Sequence, residues 1–171
     1  MMKRRALSLA LCAGVLAWLV LPVAPVSAEQ DAGFEHALLA AINQVRAQHR
    51  LRPVRVDPRL TAAARDYARE LAERRLIEHT GRDGRQVNDR VDRQGYVWGF
   101  VAENLAGGAA DARQTVELWM GSPGHRQNLL FPGATDIGAA RELATDPGNP
   151  YRTYDVLVLA RPRDDQPVRR R

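Results

Sequence analysis

The sequence predicts an α+β domain in which several helices pack against a mostly antiparallel sheet. The first half of the chain repeats apolar residues at a spacing of about 3.6, the pattern of helices with one buried face. The last third contains two strand-like runs, separated by the turn-forming segment TDPGNP. No internal repeat or second domain is evident in the 171 residues, so we expect one folded domain.

The N-terminal segment is typical of a secretory signal peptide. Basic residues within 1–5 precede an uncharged apolar run over residues 6–26, and a small-residue cleavage site ends at Ala28. An uncleaved membrane anchor is the alternative, because about 20 apolar residues can span a bilayer. Two prolines close to Ala28 favour cleavage. A lipid anchor on Cys12 is disfavoured by the bulky residue that precedes it.

These observations divide the chain into three parts. We expect a signal peptide over residues 1–28, a single domain over residues 29–163 and a basic flexible tail over residues 164–171. The mature protein is expected to be secreted, either extracellular or periplasmic, without a transmembrane span. We also expect it to be a monomer.

Removal of the signal peptide changes what the composition implies. The only cysteine, Cys12, and the only lysine, Lys3, both lie in that segment. The mature chain therefore lacks disulfides, thiolate zinc ligands, cysteine nucleophiles and lysine bases. Of 25 basic residues, 22 remain against 20 acidic ones, so the net charge falls from +5 to +2. The basic excess lies at the chain ends, and we expect no nucleic-acid partner.

Two long helices are predicted first. One runs from about Phe34, with Asp31 as its N-cap, and ends before Pro53. The second begins at Asp57 and Pro58, a favoured pairing of N-cap and first-turn residues. Its expected buried stripe consists of Leu60, Ala64, Tyr67, Ala68, Leu71 and Leu76.

The remaining elements are shorter. They are a helix over residues 87–94, a strand over 96–105, a helix capped by Asp111, a helical turn from Ser122, and strands over 136–140 and 154–159. Tyr96, Trp98 and Phe100 stand at alternate positions and are expected to share one face of their strand. We interpret that face as sheet core rather than a ligand groove.

Four histidines, two of them at helix–loop boundaries, are the main candidates for chemistry. His36 and His49 lie in a helical pattern among polar neighbours and are expected to be exposed. His79 and His125 are surrounded by turn residues, where a side chain can point into a site because it is not needed for core packing. Glu103 lies between apolar residues in a predicted strand, so its carboxylate needs a partner or a polar cavity.

Three kinds of chemistry are open to two imidazoles and a carboxylate that converge. They can bind a divalent cation, act as a general acid and base, or form a structural hydrogen-bond cluster. The sequence spacing does not choose among these. Ser122, the only serine after the signal peptide, precedes Pro123 and is better explained as an N-cap than as a nucleophile.

The ordered motifs resemble the CAP/SCP superfamily of cysteine-rich secretory proteins, antigen 5 and pathogenesis-related proteins, in its bacterial cysteine-free form. These motifs are INQVRAQHRL, EHTG, AENLA and VELWMGSPGHRQNLL, and together with the final strands the resemblance spans about residues 34–161. The resemblance implies a three-layer α-β-α sandwich. It also implies a polar cavity in which His79, Glu103 and His125 match family positions. Glu117 is the candidate for the second family glutamate, although it precedes Trp119 instead of following it.

The function implied by this resemblance is broad. We expect an exported binding module for a metal, a small ligand or a lipid of the envelope or extracellular space. A divalent cation such as zinc would use His79, His125 and Glu103. The alternative is a metal- or water-assisted hydrolase that acts on an envelope or extracellular polymer. The sequence does not decide whether the protein is an enzyme.

Overall fold

The structure is a computed structural model that describes residues 26–164, with side chains from Gly33 onward. The predicted signal sequence up to residue 25 and most of the predicted tail lie outside these residues. The described part contains these elements: α1 (Val26–Gln48), β1 (Arg55–Val56), α2 (Pro58–Arg74), α3 (Val87–Arg93), β2 (Trp98–Gly107), α4 (Ala112–Gly121), α5 (Pro123–Leu129), β3 (Asp136–Leu143) and β4 (Thr153–Pro162). None of the helices in this part is long and apolar enough to cross a membrane.

The four strands form one sheet in the order β1-β3-β4-β2. The pairs β3–β4 and β4–β2 are antiparallel, and only the short β1 runs parallel to its neighbour β3. β2 is therefore an outer strand. Its carbonyl groups at Leu105 and Glu103 accept hydrogen bonds from Trp119 Nε1 at 3.0 Å and Asn128 Nδ2 at 3.4 Å.

Helices cover both faces of the sheet, as the predicted three-layer sandwich requires. One core cluster joins α2 and α3 to the sheet and contains Tyr67, Leu71 and Val91. The other joins α1, α4 and α5 to the opposite face and contains Leu38 and Trp119. Because each face has its own buried cluster, the sheet is the middle layer of the domain.

α2 begins as predicted, because Asp57 caps it and Pro58 occupies its first turn. The Asp57 carboxylate accepts a hydrogen bond from the Arg59 backbone N–H at 2.9 Å. The prediction for α1 was wrong at its start. Asp31 lies inside this helix, which begins at Val26, and no proline or glycine interrupts residues 26–32. Ser122 occupies the N-cap position of α5, but its side chain makes no capping hydrogen bond.

β1 was not predicted from the sequence. It has only two residues, both exposed, and it pairs with Asp136 and Ile137 about half the chain away. At the next position of β3, Gly138 passes directly beneath α2. A Cβ atom there would lie 2.0 Å from backbone atoms of Leu60 and Thr61, so only glycine allows this helix–strand contact.

The expectation that Tyr96, Trp98 and Phe100 share one face of a strand was wrong. Tyr96 precedes β2 and is buried in the core on the α2 side, where Trp98 also packs. The register of β2 against β4 shifts between Trp98 and Phe100, which leaves Gly99 as a bulge. Phe100 instead stacks on Phe131, which packs on the core of the opposite face, with ring centroids 4.1 Å apart.

Candidate functional site

His79 and Glu103 form the centre of the candidate site. His79 lies in the connection between α2 and α3, and Glu103 lies on the outer strand β2. His79 Nδ1 is 2.8 Å from Glu103 Oε1. The Glu103 side chain is 2% exposed, whereas that of His79 is 55% exposed. Because a carboxylate only accepts hydrogen bonds, Nδ1 carries the proton and Nε2 is the free ring nitrogen of neutral His79.

The other carboxylate oxygen of Glu103 is held by Arg90, from α3. Arg90 Nη2 lies 2.6 Å from Glu103 Oε2 and also donates to the His79 carbonyl oxygen at 3.3 Å. The guanidinium lies over the ring of Tyr67, 3.5 Å from its centroid. A single arginine therefore balances the buried carboxylate and ties the His79 backbone to it.

Arg90 was not among the site residues predicted from the sequence. A signal was present, because Arg90 interrupts the helical stripe that Val87 and Val91 form in α3. A cation on a buried stripe is stabilised by a buried anion, and Glu103 was already expected to need a partner. The two expectations together would have paired these residues.

His125 reaches the site from the first turn of α5. Its backbone carbonyl accepts a hydrogen bond from the buried Asn104 Nδ2 at 3.0 Å, and Asn128 Nδ2 donates to Asn104 Oδ1 at 2.9 Å. Asn104 follows Glu103 in β2, so neighbouring residues of one strand hold His79 and His125. The two imidazoles lie close enough for their charges to interact.

The two histidines have opposite pKa shifts. The hydrogen bond to Glu103 raises the pKa of His79 above its ordinary value of 6.5, against the opposing effects of desolvation and of Arg90. Desolvation, with a smaller contribution from the charge of His79, lowers the pKa of His125. At a given pH, a larger fraction of His125 than of His79 is therefore neutral, with a free lone pair.

Glu117 is placed elsewhere. Its side chain is 59% exposed and pairs with Arg113 at 2.6 Å, one turn earlier in α4. The buried stripe of that helix contains Thr115, Val116 and Trp119, so Glu117 points to the other side. The structure gives it no hydrogen bond to His79, Glu103 or His125 within the described residues. His36 and His49 are exposed, as expected.

A divalent cation could use only part of the expected ligand set in this arrangement. Across residues 33–164, no group of three or more histidine or carboxylate side chains is arranged to hold a metal ion. Both oxygens of Glu103 are engaged, one by His79 and one by Arg90. The two imidazoles remain as candidate ligands, with Glu103 bonded to His79 as the group that orients it.

A polar cavity of about 320 Å³ adjoins the site at Arg90. Tyr67, Glu70, Asp83 and Arg90 are among the residues that line it. The two histidines are not among its lining residues, and Arg90 is the residue that the cavity shares with the site.

A family profile described as "Cysteine-rich secretory protein family" matches residues 39–158. The uncharacterized protein YkwD of Bacillus subtilis (strain 168) is 28% identical over 105 residues, which are 61% of this chain and 41% of that protein. An uncharacterized protein of Borreliella burgdorferi is 29% identical over 122 residues, 71% of this chain and 74% of that protein.

Solved structures show the same fold. An extracellular protein containing an SCP domain from Bacillus anthracis superimposes with a TM-score of 0.70 at 20% identity, covering 82% of this chain and 44% of that one. An outer surface protein from Borrelia burgdorferi superimposes with a TM-score of 0.68 at 26% identity, covering 75% of this chain and 92% of that one. The chain spans less than half the length of YkwD and of the Bacillus anthracis protein.

Proposed function

Because the chain belongs to the cysteine-rich secretory protein (CAP) family, we propose that it is an exported binding module that holds a divalent cation between His79 and His125. The observation that carries this proposal is the 2.8 Å contact between His79 Nδ1 and the buried Glu103. Histidines that bind metals commonly donate their other ring N–H to a carboxylate, which fixes the tautomer and strengthens the free nitrogen as a ligand. Glu103 gives His79 this arrangement.

The proposed ligands are two neutral imidazoles, and because the pKa of His79 is raised, protons compete with the cation at that residue as the pH falls. Arg90 balances the carboxylate of Glu103, so Glu103 serves to orient His79 rather than to bind the ion. The lowered pKa of His125 keeps its imidazole neutral, as metal binding requires. Two protein ligands leave the other coordination positions to water or to an external ligand. The proposed site is therefore weaker than a closed structural zinc site.

The proposed location is the cell envelope or the extracellular space. The signal-like N-terminus supports it, and two structural relatives are described as an extracellular protein and an outer surface protein. The intact mass of the exported protein tests this part of the proposal. A species that begins at Glu29 is expected, and a species that retains residues 7–20 would contradict it.

Calorimetric titration with zinc at neutral pH tests the binding site. His79→Ala and His125→Ala are each expected to abolish most zinc binding, because each removes one of two protein ligands. His36→Ala and His49→Ala are the matched controls, since both side chains are exposed and outside the site. Absence of zinc uptake by the parent, or an equal loss in all four variants, would leave a structural hydrogen-bond cluster.

A second candidate is a hydrolase in which His79 acts as a general base toward water. The hydrogen bond to Glu103 favours it, because it orients the imidazole and raises its pKa. Incubation with purified envelope or extracellular polymer, followed by chromatography of the released fragments, tests this function. Release by the parent that His79→Ala abolishes and His36→Ala retains supports hydrolysis. Equal release by both variants contradicts it.

A further inference from the structure

Arg46, in the last turn of α1, is completely buried. Its Nε donates to the Arg52 carbonyl oxygen at 2.9 Å. Nη1 donates to the carbonyl oxygens of Leu129 at 2.8 Å and Phe131 at 3.1 Å, and Nη2 donates to that of Ala134 at 3.4 Å. All four acceptors are backbone groups, and the structure gives Arg46 no carboxylate partner in the part of the chain it describes.

A buried guanidinium without an anion is costly, and here burial lowers the pKa of Arg46. The four carbonyl dipoles offset that cost only if they remain in place around the cation. Three of them belong to the short segment 129–134, so the buried charge constrains the path of that segment. The contact joins parts of the chain that lie more than 80 residues apart.

The segment held by Arg46 begins at the C-terminal end of α5. This helix has seven residues, too few to be stable without tertiary contacts. The Leu129 carbonyl is one of the groups that a helix end leaves without an intrahelical partner, and Arg46 satisfies it. His125 lies four residues earlier, about one turn, on the same helix.

α5 is consequently held from two directions, because β2 bonds it through His125 and Asn128 and α1 bonds it through Leu129. Asn104 bonds the His125 carbonyl from the sheet, and Arg46 bonds the Leu129 carbonyl from α1. The bonds from β2 tie α5 to the sheet on one side only, whereas the bond from Arg46 fixes its C-terminal end from α1 and so completes the definition of its direction. The direction of α5 determines where the His125 imidazole points.

We propose that Arg46 is a positioning residue for the His125 imidazole, acting through the C-terminal end of α5 without contacting any ligand. The role of that imidazole in cation binding rests on the proposed function. The position of α5 itself does not, so the two can be tested separately.

Zinc titration of Arg46→Met and Arg46→Lys gives the first test. Methionine keeps most of the length of the arginine side chain but has no hydrogen-bond donors. We expect the Kd of Arg46→Met for zinc to rise about tenfold, the lower end of the range for groups that orient metal ligands. Lys keeps the charge but cannot span four carbonyls, so a smaller rise is expected. Leu71→Ala is the matched control, because it disturbs a core residue on the other face of the sheet. All proteins are compared at a temperature at which each is folded.

NMR without metal gives the second test. In Arg46→Lys we expect changed chemical shifts of the His125 ring and faster amide exchange over residues 126–131, with the His79 ring unchanged. Leu71→Ala should leave the His125 ring and those amides as in the parent. Unchanged His125 signals in Arg46→Lys, or equal changes in Leu71→Ala, would overturn the proposal. If the parent takes up no zinc but Arg46→Lys shows the expected NMR changes, cation binding is refuted and the role of Arg46 is supported.

Discussion

Arg90 and Glu103 form a nearly dry ion pair, in which Nη2 and Oε2 are 2.6 Å apart and the two side chains are 11% and 2% exposed. The pair turns the other carboxylate oxygen of Glu103 toward His79 Nδ1. Arg90 thus fixes the Glu103 carboxylate, and Glu103 in turn orients the exposed imidazole of His79. This relationship suggests how the site responds to substitution and to pH.

Arg90→Met should destabilise the protein by about 3 kcal/mol, because it leaves a buried carboxylate without its cation. Arg113→Met is the control, since its pair with Glu117 is largely exposed and should contribute less than about 1 kcal/mol. Urea denaturation of both variants measures the difference. Equal changes in the free energy of unfolding would show that the Arg90–Glu103 pair is not buried in solution.

The two site histidines should titrate in opposite directions from 6.5. We expect the pKa of His79 above that value and the pKa of His125 below it, because a carboxylate bonds the first and burial desolvates the second. NMR titration of the ring Cε1–Hε1 signals measures both. In Glu103→Gln the pKa of His79 should fall, because its anionic partner is lost while Arg90 remains. A His79 pKa unaffected by that change contradicts the assigned cause.

The same shifts predict opposite effects on stability. A raised folded-state pKa means that His79 stabilises the fold below pH of about 6.5, and that this contribution is lost as the pH rises through the folded-state value. A lowered folded-state pKa means that His125 destabilises the fold as the pH falls below about 6.5. Relative to the parent, His79→Asn should therefore lose more stability at pH 5.5 than at pH 8.5. His125→Asn should show the reverse, and thermal unfolding at the two pH values checks both.

Leu71→Ala should lower the free energy of unfolding by about 2–5 kcal/mol, because Leu71 of α2 is completely buried in the core between this helix and the sheet. Leu118→Ala offers a comparison on α4, where the leucine is 49% exposed and the change should stay within about 0.5 kcal/mol. Denaturant midpoints distinguish the two sites. A Leu71→Ala midpoint equal to that of the parent would falsify the assigned core.

Gly138→Ala should destabilise the protein by about 3 kcal/mol, because the added methyl group would overlap the backbone of α2 at Leu60 and Thr61. At Gly121 a Cβ atom meets nothing within 4 Å, so Gly121→Ala is the matched substitution with little expected cost. Thermal unfolding compares them. Similar melting temperatures would mean that α2 does not approach β3 as closely as described.

The sequence was most informative where a local signal sets the structure. Asp57 with Pro58 identified the start of α2, and the periodic stripe of this helix identified its buried face, because caps and helical periodicity act over a few residues. Leu76 was wrongly included in that stripe, since α2 ends at Arg74 and Leu76 is only partly buried. β1 has two residues and no periodicity of its own, and its partner strand lies far along the chain. The bulge at Gly99 depends on the register against β4, which the local pattern does not contain.

The candidate site shows the same division. His79, Glu103 and His125 were selected by their local surroundings and by the family motifs, and the structure brings the first two into contact. Glu117 was selected by sequence proximity to the motif, but the phase of α4 turns it outward. Arg46 fell within a recognised motif without an assigned role. Its four acceptors are backbone carbonyls, a type of partner that no residue pattern encodes.

The side chains that cover β2 also hinder strand pairing between copies of this protein. An outer strand with unpaired carbonyl groups invites another chain to extend the sheet, and such pairing leads to aggregation. Trp119 and Asn128 occupy the carbonyl groups of Leu105 and Glu103, which closes that part of the edge. Since residues 29–171 contain no cysteine, no disulfide can secure this edge. α4 and α5 therefore act as covers that keep the strand carrying Glu103 from joining a second sheet.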